Sequence, residues 1–438
     1  MKLARSHPED PWSDGHPEGV ALDTQTIAHP AEEIAAPGMA AGAKIMPYIA
    51  RWWTLNRVAV TQAFFVFLSL RLLLSVVAGL SIGMLPMQTG QHSTYQRSTN
   101  PQLDAWSRWD SEYYLDIAEQ GYSTRPQLAV FFPLYPMLLA GAAPLTGGDY
   151  VLAGILVSSV ACFIALFYMF KLAAWEFGEE VAGRSILYMA AYPMALFLFA
   201  VYTESVFLAV TLAAFYYARR RRWAFAGSAA LLAGLARPTA IVLVLPLVYE
   251  AWCQAGHTLR LPTLKRLVSL RYLLGIGAAP LGWLLFAGYL AWLTGDMLAI
   301  LHSRTLPPFW REVSMPWDTL ISAIRRLGDP TLSPFARTVN TADLIATLLL
   351  LEACIVAWWA LPRIYAIYCS GSLILLLLLT IPEWPLQSMQ RYSLAVFPLF
   401  FLLAKLGANR YWHQLILMTS LLLLGVYTAL FANWYWVF

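Results

Sequence analysis

Long apolar runs alternate with short polar turns along most of the chain. The runs cover 58–85, 128–146, 150–175, 181–200, 204–218, 223–236, 238–252, 271–294, 341–361, 364–381, 393–406 and 413–432. A bilayer-crossing helix needs roughly 20 apolar residues, and the pattern predicts an all-α polytopic membrane protein. Polar stretches at 86–127, 295–340 and 382–392 separate groups of spans. Residues 1–57 have no apolar core and are rich in Pro, Gly, Ala, Asp, Glu and His. They are not expected to form a cleavable signal peptide, which needs an apolar stretch near its start. The reading is a disordered cytoplasmic tail over 1–43 and a membrane domain over 44–438.

Lysines and arginines in short loops orient the spans, because they are retained in the cytoplasm. "ARRRRW" (218–223) is the strongest such mark. Lys44, Arg51 and Arg57 before the first span, Arg260, Lys265, Arg266 and Arg271 in the 251–271 loop, and Arg363, Lys405 and Arg410 are further marks. If every run crossed, Arg219–Arg222 would fall outside. One run must therefore fail to cross, and 128–146, broken by Pro133, Pro136 and Pro144, is expected to be interfacial or re-entrant. About eleven spans result, with the N-terminus inside and 86–127, 295–340 and 382–392 outside. The runs 204–218 and 223–236 are short, which suits helices bordering a cleft that opens at the outer face.

Composition sharpens this. Charged residues make up 12% of the chain and hydrophobic ones 59%, with mean hydropathy +0.58; soluble domains carry roughly 25% charge. The 18 Trp and 22 Tyr suit a large interfacial surface. The net charge of +4 is uninformative beside its placement, and nucleic acid is not an expected partner. Cys162, Cys253, Cys354 and Cys369 lack metal-ligand spacing and read as buried small hydrophobes.

Against this background "RWDSEYYLDIAEQGY" (108–122) stands out, since five carboxylates fall between Asp104 and Glu119. A structural reading makes Asp110 the N-cap of a helix closed by Gly121, with Glu112, Asp116 and Glu119 on one solvated face. A functional reading needs a lipid-borne substrate. A sugar on a lipid phosphate already carries a good leaving group, so one carboxylate suffices to take the acceptor's proton, and one or two arginines grip the phosphate. Arg108, Arg237, Arg304, Arg311 and Arg391 lie near the outer face. Arg237, in "GLARPTA", sits between two short spans, where an unpaired charge is costly; Arg391, with Tyr392 beside it, opens another span. Each could equally reach water without function. Tyr202 and Glu204, in "VYTESVF", occupy a further outer turn, where Glu204 could pair with an arginine, cap a helix or bind sugar hydroxyls.

"RWDSEYYLDIAEQGY", "FFPLYPMLL" (131–139), "VYTESVFLAV" (201–210) and "LAGLARPTAIVLVLPL" (232–247), in this order and spacing, resemble the family of GPI mannosyltransferase II (PIG-V) and its bacterial relatives, membrane glycosyltransferases of the GT-C type. "ILHSRTLPPFWREVSMPW" (300–317) and "QSMQRYSL" (387–394) resemble it more loosely. The resemblance implies an inverting transfer of a sugar, mannose in the family, from a polyprenyl phosphate to a lipid-linked or glycan acceptor on the non-cytoplasmic face of, here, a bacterial plasma membrane. It implies Asp110 as the acidic residue of a first external loop that acts as catalytic base, no resident cofactor and no metal, although Asp104, Asp110 and Glu112 could together hold a cation. It places His302 in a loop roofing the cleft. Arg108, Trp109 and Glu112 of the quoted stretch are further candidates for substrate contact. The rival function is a transporter that flips polyprenyl-phosphate sugars without bond cleavage.

Overall fold

The computed structural model describes residues 45–88, 96–256, 258 and 269–437. The expected tail, 1–43, lies outside the described residues, as does Lys44. The chain divides into two units, Met1–Thr54 and Leu55–Phe438; apart from the first turns of one helix, everything below concerns the second.

The described residues are mostly helical, as the apolar pattern predicts. In chain order the helices are α1 (Ile45–Met84), α2 (Pro101–Asp104), α3 (Ser111–Gln120), α4 (Leu134–Ala142), α5 (Tyr150–Phe177), α6 (Glu179–Ala191), α7 (Glu204–Arg219), α8 (Trp223–Ala236), α9 (Val244–Ala255), α10 (Leu270–Ile276), α11 (Ala278–Thr294), α12 (Ala299–Arg304), α13 (Pro316–Leu327), α14 (Pro334–Ala360), α15 (Arg363–Leu377), α16 (Met389–Ser393), α17 (Pro398–Leu406) and α18 (Arg410–Ala432). Among the described residues, five segments have the length and apolarity of a full crossing: Ala50–Met84, Tyr150–Phe177, Pro238–Ala255, Pro334–Ala360 and Arg410–Ala432. The α10–α11 pair, bent by 56°, makes a sixth if taken as one broken span. The other expected crossings fall on shorter or interrupted helices. The proline-rich run 128–146 forms the nine-residue α4 between two 3-10 turns, too short to cross at 1.5 Å per residue.

Local chemistry sets the boundaries. Asp149 caps α5 by accepting from Leu152 N–H, and Ser333 caps α14 by accepting from Ala336 N–H, with Pro334 at the first position. Gly121 ends α3 at φ +76°. Where α8 meets α11, a Cβ on Gly234 would lie 2.2 Å from the Ala279 carbonyl oxygen, so only glycine permits this backbone approach. The polar segment 295–340 is more than a loop. It holds α12 and α13, and α14 begins seven residues before the apolar run does. A two-residue strand, Glu312–Val313, pairs antiparallel with Leu379–Thr380 beyond α15, tying this segment to the end of that helix.

The two ends of α7 have opposite characters. At one end Arg219 bonds Glu176 at 2.7 Å and Glu250 at 3.0 Å, beside the arginine run. At the other end Glu204 enters the site described next.

Candidate active site

The site grows from two tight turns and a helix break. At the first, Trp109 adopts φ +56°, a left-handed conformation uncommon for a bulky residue, and Asp110 follows. Tyr202, fully buried, pins this turn: its hydroxyl donates to the Arg108 carbonyl at 3.0 Å and accepts from Asp110 N–H at 3.2 Å. At the second, Ser388 adopts φ +69° just before α16, which carries Arg391 and Tyr392. The buried Asp343 of α14 steadies that turn by accepting from Gln390 N–H and Nε2, each at 3.3 Å. The break is at Arg237, where Pro238 forces the preceding residue into an extended conformation (φ −151°, ψ 148°).

These elements enclose a cavity of about 290 Å³. Asp110, Glu112, Arg237, Arg304, Arg311 and Arg391 supply its charged wall, with Trp109, Tyr113, Phe131, Phe309, Tyr392 and Trp436 as aromatic surfaces and Leu375, Leu376 and Leu379 as an aliphatic side. Arg391 is the hub. Its Nη1 lies 2.8 Å from Asp110 Oδ2, its Nε lies 2.6 Å from Glu204 Oε1, and its guanidinium covers the Tyr202 ring at 4.8 Å. Arg237 Nη1 approaches the same Glu204 Oε1 at 2.9 Å. Asp110 keeps a quarter of its side chain exposed, whereas Glu204 is 1% exposed.

Two arginines of the segment after α11 complete the wall. Arg311 N–H donates to the Arg304 carbonyl at 2.9 Å, and Trp310 between them adopts φ +34°. Arg311 Nη2 donates to the Tyr392 hydroxyl at 3.1 Å. Burial, followed by repulsion from Arg311, lowers the Arg304 pKa to about 10. Burial raises the Tyr392 phenol, but Arg311, Arg391 and Arg237 more than offset this and bring it below its ordinary value. Strained backbone concentrates here: three of the five non-glycine residues with positive φ among the described residues, Trp109, Trp310 and Ser388, adjoin or line the cavity.

The family model for mannosyltransferase (PIG-V) matches residues 57–274, about half of the chain. The chain belongs to the PIG-V mannosyltransferase family. A search of curated proteins gives no significant match. Among solved structures the chain is similar to an oligosaccharyltransferase of Archaeoglobus fulgidus, crystallised with zinc and sulfate, at 14% identity and TM-score 0.38, over 83% of this chain and 53% of that one. The chain thus spans about half that enzyme's length.

In this PIG-V family member the structure brings Asp110, Trp109, Glu112, Arg237, Arg391 and Tyr392 of the sequence candidates to one cavity. It places four others off its lining. Tyr202 and Glu204 are buried behind it, holding Asp110, Arg237 and Arg391 in position. Arg108 is 1% exposed; it pairs with Asp104, donates to the Ala432 carbonyl at 3.3 Å and stacks over Trp434 at 4.6 Å. It anchors the turn to residues 432–434 and has no surface left for substrate. His302 points to solvent, 65% exposed, at 2.7 Å from Asp296, because α12 directs it away from the neighbouring Ser303, which is buried against the Pro126 carbonyl.

The acid-rich stretch is answered by arginines rather than by water. Asp104 pairs with Arg108, Asp110 with Arg391, Glu112 with Arg125, and Asp116 with both Arg97 and Arg125, while Glu119 lies 3.7 Å from Arg97. The solvated-face reading is corrected accordingly, since Asp116 is buried. Asp110 caps nothing with its side chain. The trio Asp104, Asp110 and Glu112 faces three different arginines, and among the described residues no three His, Cys, Asp or Glu side chains converge as metal ligands. Arg71, inside α1, is held between Trp106 and Phe199 at 5.0 and 5.4 Å.

Trp436, against Trp109 at 4.9 Å, and the buried Asp343 are site residues that no local motif announces. Arg304 and Arg311 stood in a weakly patterned stretch, flagged there only by charge.

Proposed function

We propose that this protein is an inverting membrane glycosyltransferase that moves a hexose, mannose on family grounds, from a polyprenyl-phosphate donor to a lipid-linked or glycan acceptor. The observation that carries the reading is Asp110: a carboxylate fixed by Arg391, still a quarter exposed, on the wall of a cavity that combines basic, aromatic and aliphatic surfaces. Asp110 accepts the proton of the acceptor hydroxyl as that oxygen attacks the anomeric carbon from the face opposite the phosphate. The bond from that carbon to the phosphate oxygen breaks, and the polyprenyl phosphate leaves with the electron pair. Trp109, Tyr113 and Trp436 offer planar faces for the sugar, and the aliphatic side accepts the isoprenoid. Positive charge around the leaving group supplies electrostatic stabilisation where negative charge develops.

The working face is extracytoplasmic in this proposal. Support comes from the ends of α7: the cavity lies at the Glu204 end and the arginine run at the Arg219 end, which is the end retained in the cytoplasm. Purified protein incubated with labelled polyprenyl-phosphate hexoses and a membrane lipid extract should give a new glycosylated lipid or glycan. Donor turnover without any glycosylated product would reject the acceptor chemistry.

A further inference from the structure

Four arginines line the cavity, but they are not equivalent. Arg391 is shared between Asp110 and Glu204, and Arg237 contacts Glu204. Two carboxylates thus face two guanidiniums, and the group is balanced before any ligand arrives. Arg304 and Arg311 have no carboxylate in salt-bridge range among the described residues. Arg311 has the Tyr392 hydroxyl as a partner, while Arg304 Nε is buried with no hydrogen-bond partner; Arg237 Nη1 also makes no well-aligned hydrogen bond, but it has the Glu204 carboxylate 2.9 Å away. The hydrogen bond from Arg311 N–H to the Arg304 carbonyl closes the intervening segment and sets both side chains on the same wall.

Two neighbouring guanidiniums, one with an orphaned buried donor, form an arrangement that is costly alone and relieved by an anion. We infer that Arg304 and Arg311 form an anion subsite that takes the phosphate of the lipid-linked substrate, and that Arg237 and Arg391 serve as fixed counter-ions to Glu204 and Asp110 rather than as the phosphate grip. The identity of the ligand rests on the glycosyl-transfer reading; the subsite itself does not. Guanidinium forks match phosphate oxygens in pairs, and the adjoining Leu375, Leu376 and Leu379 favour a phosphate that carries a hydrocarbon tail. The donor is a phosphodiester with one negative charge, and the departing product is a monoester with more. A subsite with two unneutralised cations therefore binds the product form more tightly than the donor, which places its grip where charge appears during the reaction.

The test is equilibrium binding to the full chain in lipid nanodiscs. The probes are a short-chain polyprenyl monophosphate, the matching polyprenol without phosphate, and inorganic phosphate as competitor. The monophosphate should bind at least about tenfold more tightly than the alcohol. Arg304→Gln and Arg311→Gln should each remove about tenfold of that, Arg304→Lys should restore part of it, and the exposed Arg337→Gln should change nothing. Thermal melts identify any variant that has lost its fold, and the charge-retaining Arg304→Lys then decides the case by binding more tightly than Arg304→Gln, though less tightly than wild type. Full affinity in both Gln variants, or a loss confined to Arg237→Gln and Arg391→Gln, would overturn the assignment. Inorganic phosphate binding as tightly as the lipid would overturn the lipid-borne source. Arginine-dependent binding in a protein that transfers no sugar would leave the subsite standing and remove the glycosyltransferase reading.

Discussion

Arg391 Nη1 stands 2.8 Å from Asp110 Oδ2, although the two residues are 281 positions apart in sequence. The contact joins the turn before α3 to α16. Because Arg391 also holds Glu204 at the start of α7, three distant elements converge on one guanidinium, and the orientation of Asp110 depends on all of them.

Removing Glu204 should therefore do more harm than its absence from the cavity surface suggests. Glu204→Gln leaves Arg237 and Arg391 buried without their shared carboxylate. Breaking a buried ion pair from one side costs on the order of 3–5 kcal/mol. A marked fall in thermal stability is expected, together with loss of transfer. Glu204→Asp should retain part of both, as read by melting temperature and turnover on the same preparation.

Asp343 lies outside the cavity, yet its carboxylate holds Gln390 at the turn that presents Arg391. Asp343→Ala leaves buried donors unsatisfied, at about 1–3 kcal/mol. Melting temperature should fall, and turnover should fall at saturating donor because Arg391 no longer fixes Asp110. Unchanged turnover in a folded Asp343→Ala protein would show that the turn holds without it.

Binding of a phosphodiester donor analogue should depend on pH through Arg304. Its pKa, brought down to about 10, means the cation is present below that value and lost above it. The sign for folding is opposite to that for binding: the cost of burying the cation is present below pH 10 and relieved as pH rises through it, whereas anion binding needs the cation. The diester carries the same charge throughout this range. Affinity should fall as pH rises through about 10, where the Arg304 cation is lost and the Tyr392 phenol beside Arg311, itself held below its ordinary value, ionises; Arg304→Gln and Tyr392→Phe should each make that fall shallower.

Orientation is testable by labelling with a membrane-impermeant maleimide. In a background lacking Cys253, cysteines placed at the exposed Glu383 and Arg221 should react from opposite sides of sealed vesicles, with position 383 outside. Labelling of both from one side would contradict the extracytoplasmic face.

Much of this architecture was legible in the chain. Apolar runs gave the helices, prolines marked the break around the short α4, and Asp110, Arg237 and Arg391 were visible as costly charges that the fold brings to one cavity. What local pattern could not give is pairing. Nothing near Glu204 announces that both its arginines lie elsewhere in the chain, and the carboxylates after Asp104 look solvated until Arg97 and Arg125 fold onto them. Arg108 sits in the strongest motif and still turns inward, because residues 432–434 supply its carbonyl and its ring. Trp436 is likewise silent in sequence: its role depends on α18 returning to Trp109. Arg304 and Arg311 become a pair only when the segment between them closes, which a reading by periodicity does not register.

Asp110→Asn tests the central claim most directly. The substitution keeps shape and removes the proton acceptor. Measured on one nanodisc preparation, the variant should bind polyprenyl monophosphate within about threefold of wild type and lose sugar transfer by a factor of order 10²–10⁴. Transfer at the wild-type rate would mean that another group takes the proton, and the account of this cavity built around Asp110 would be wrong.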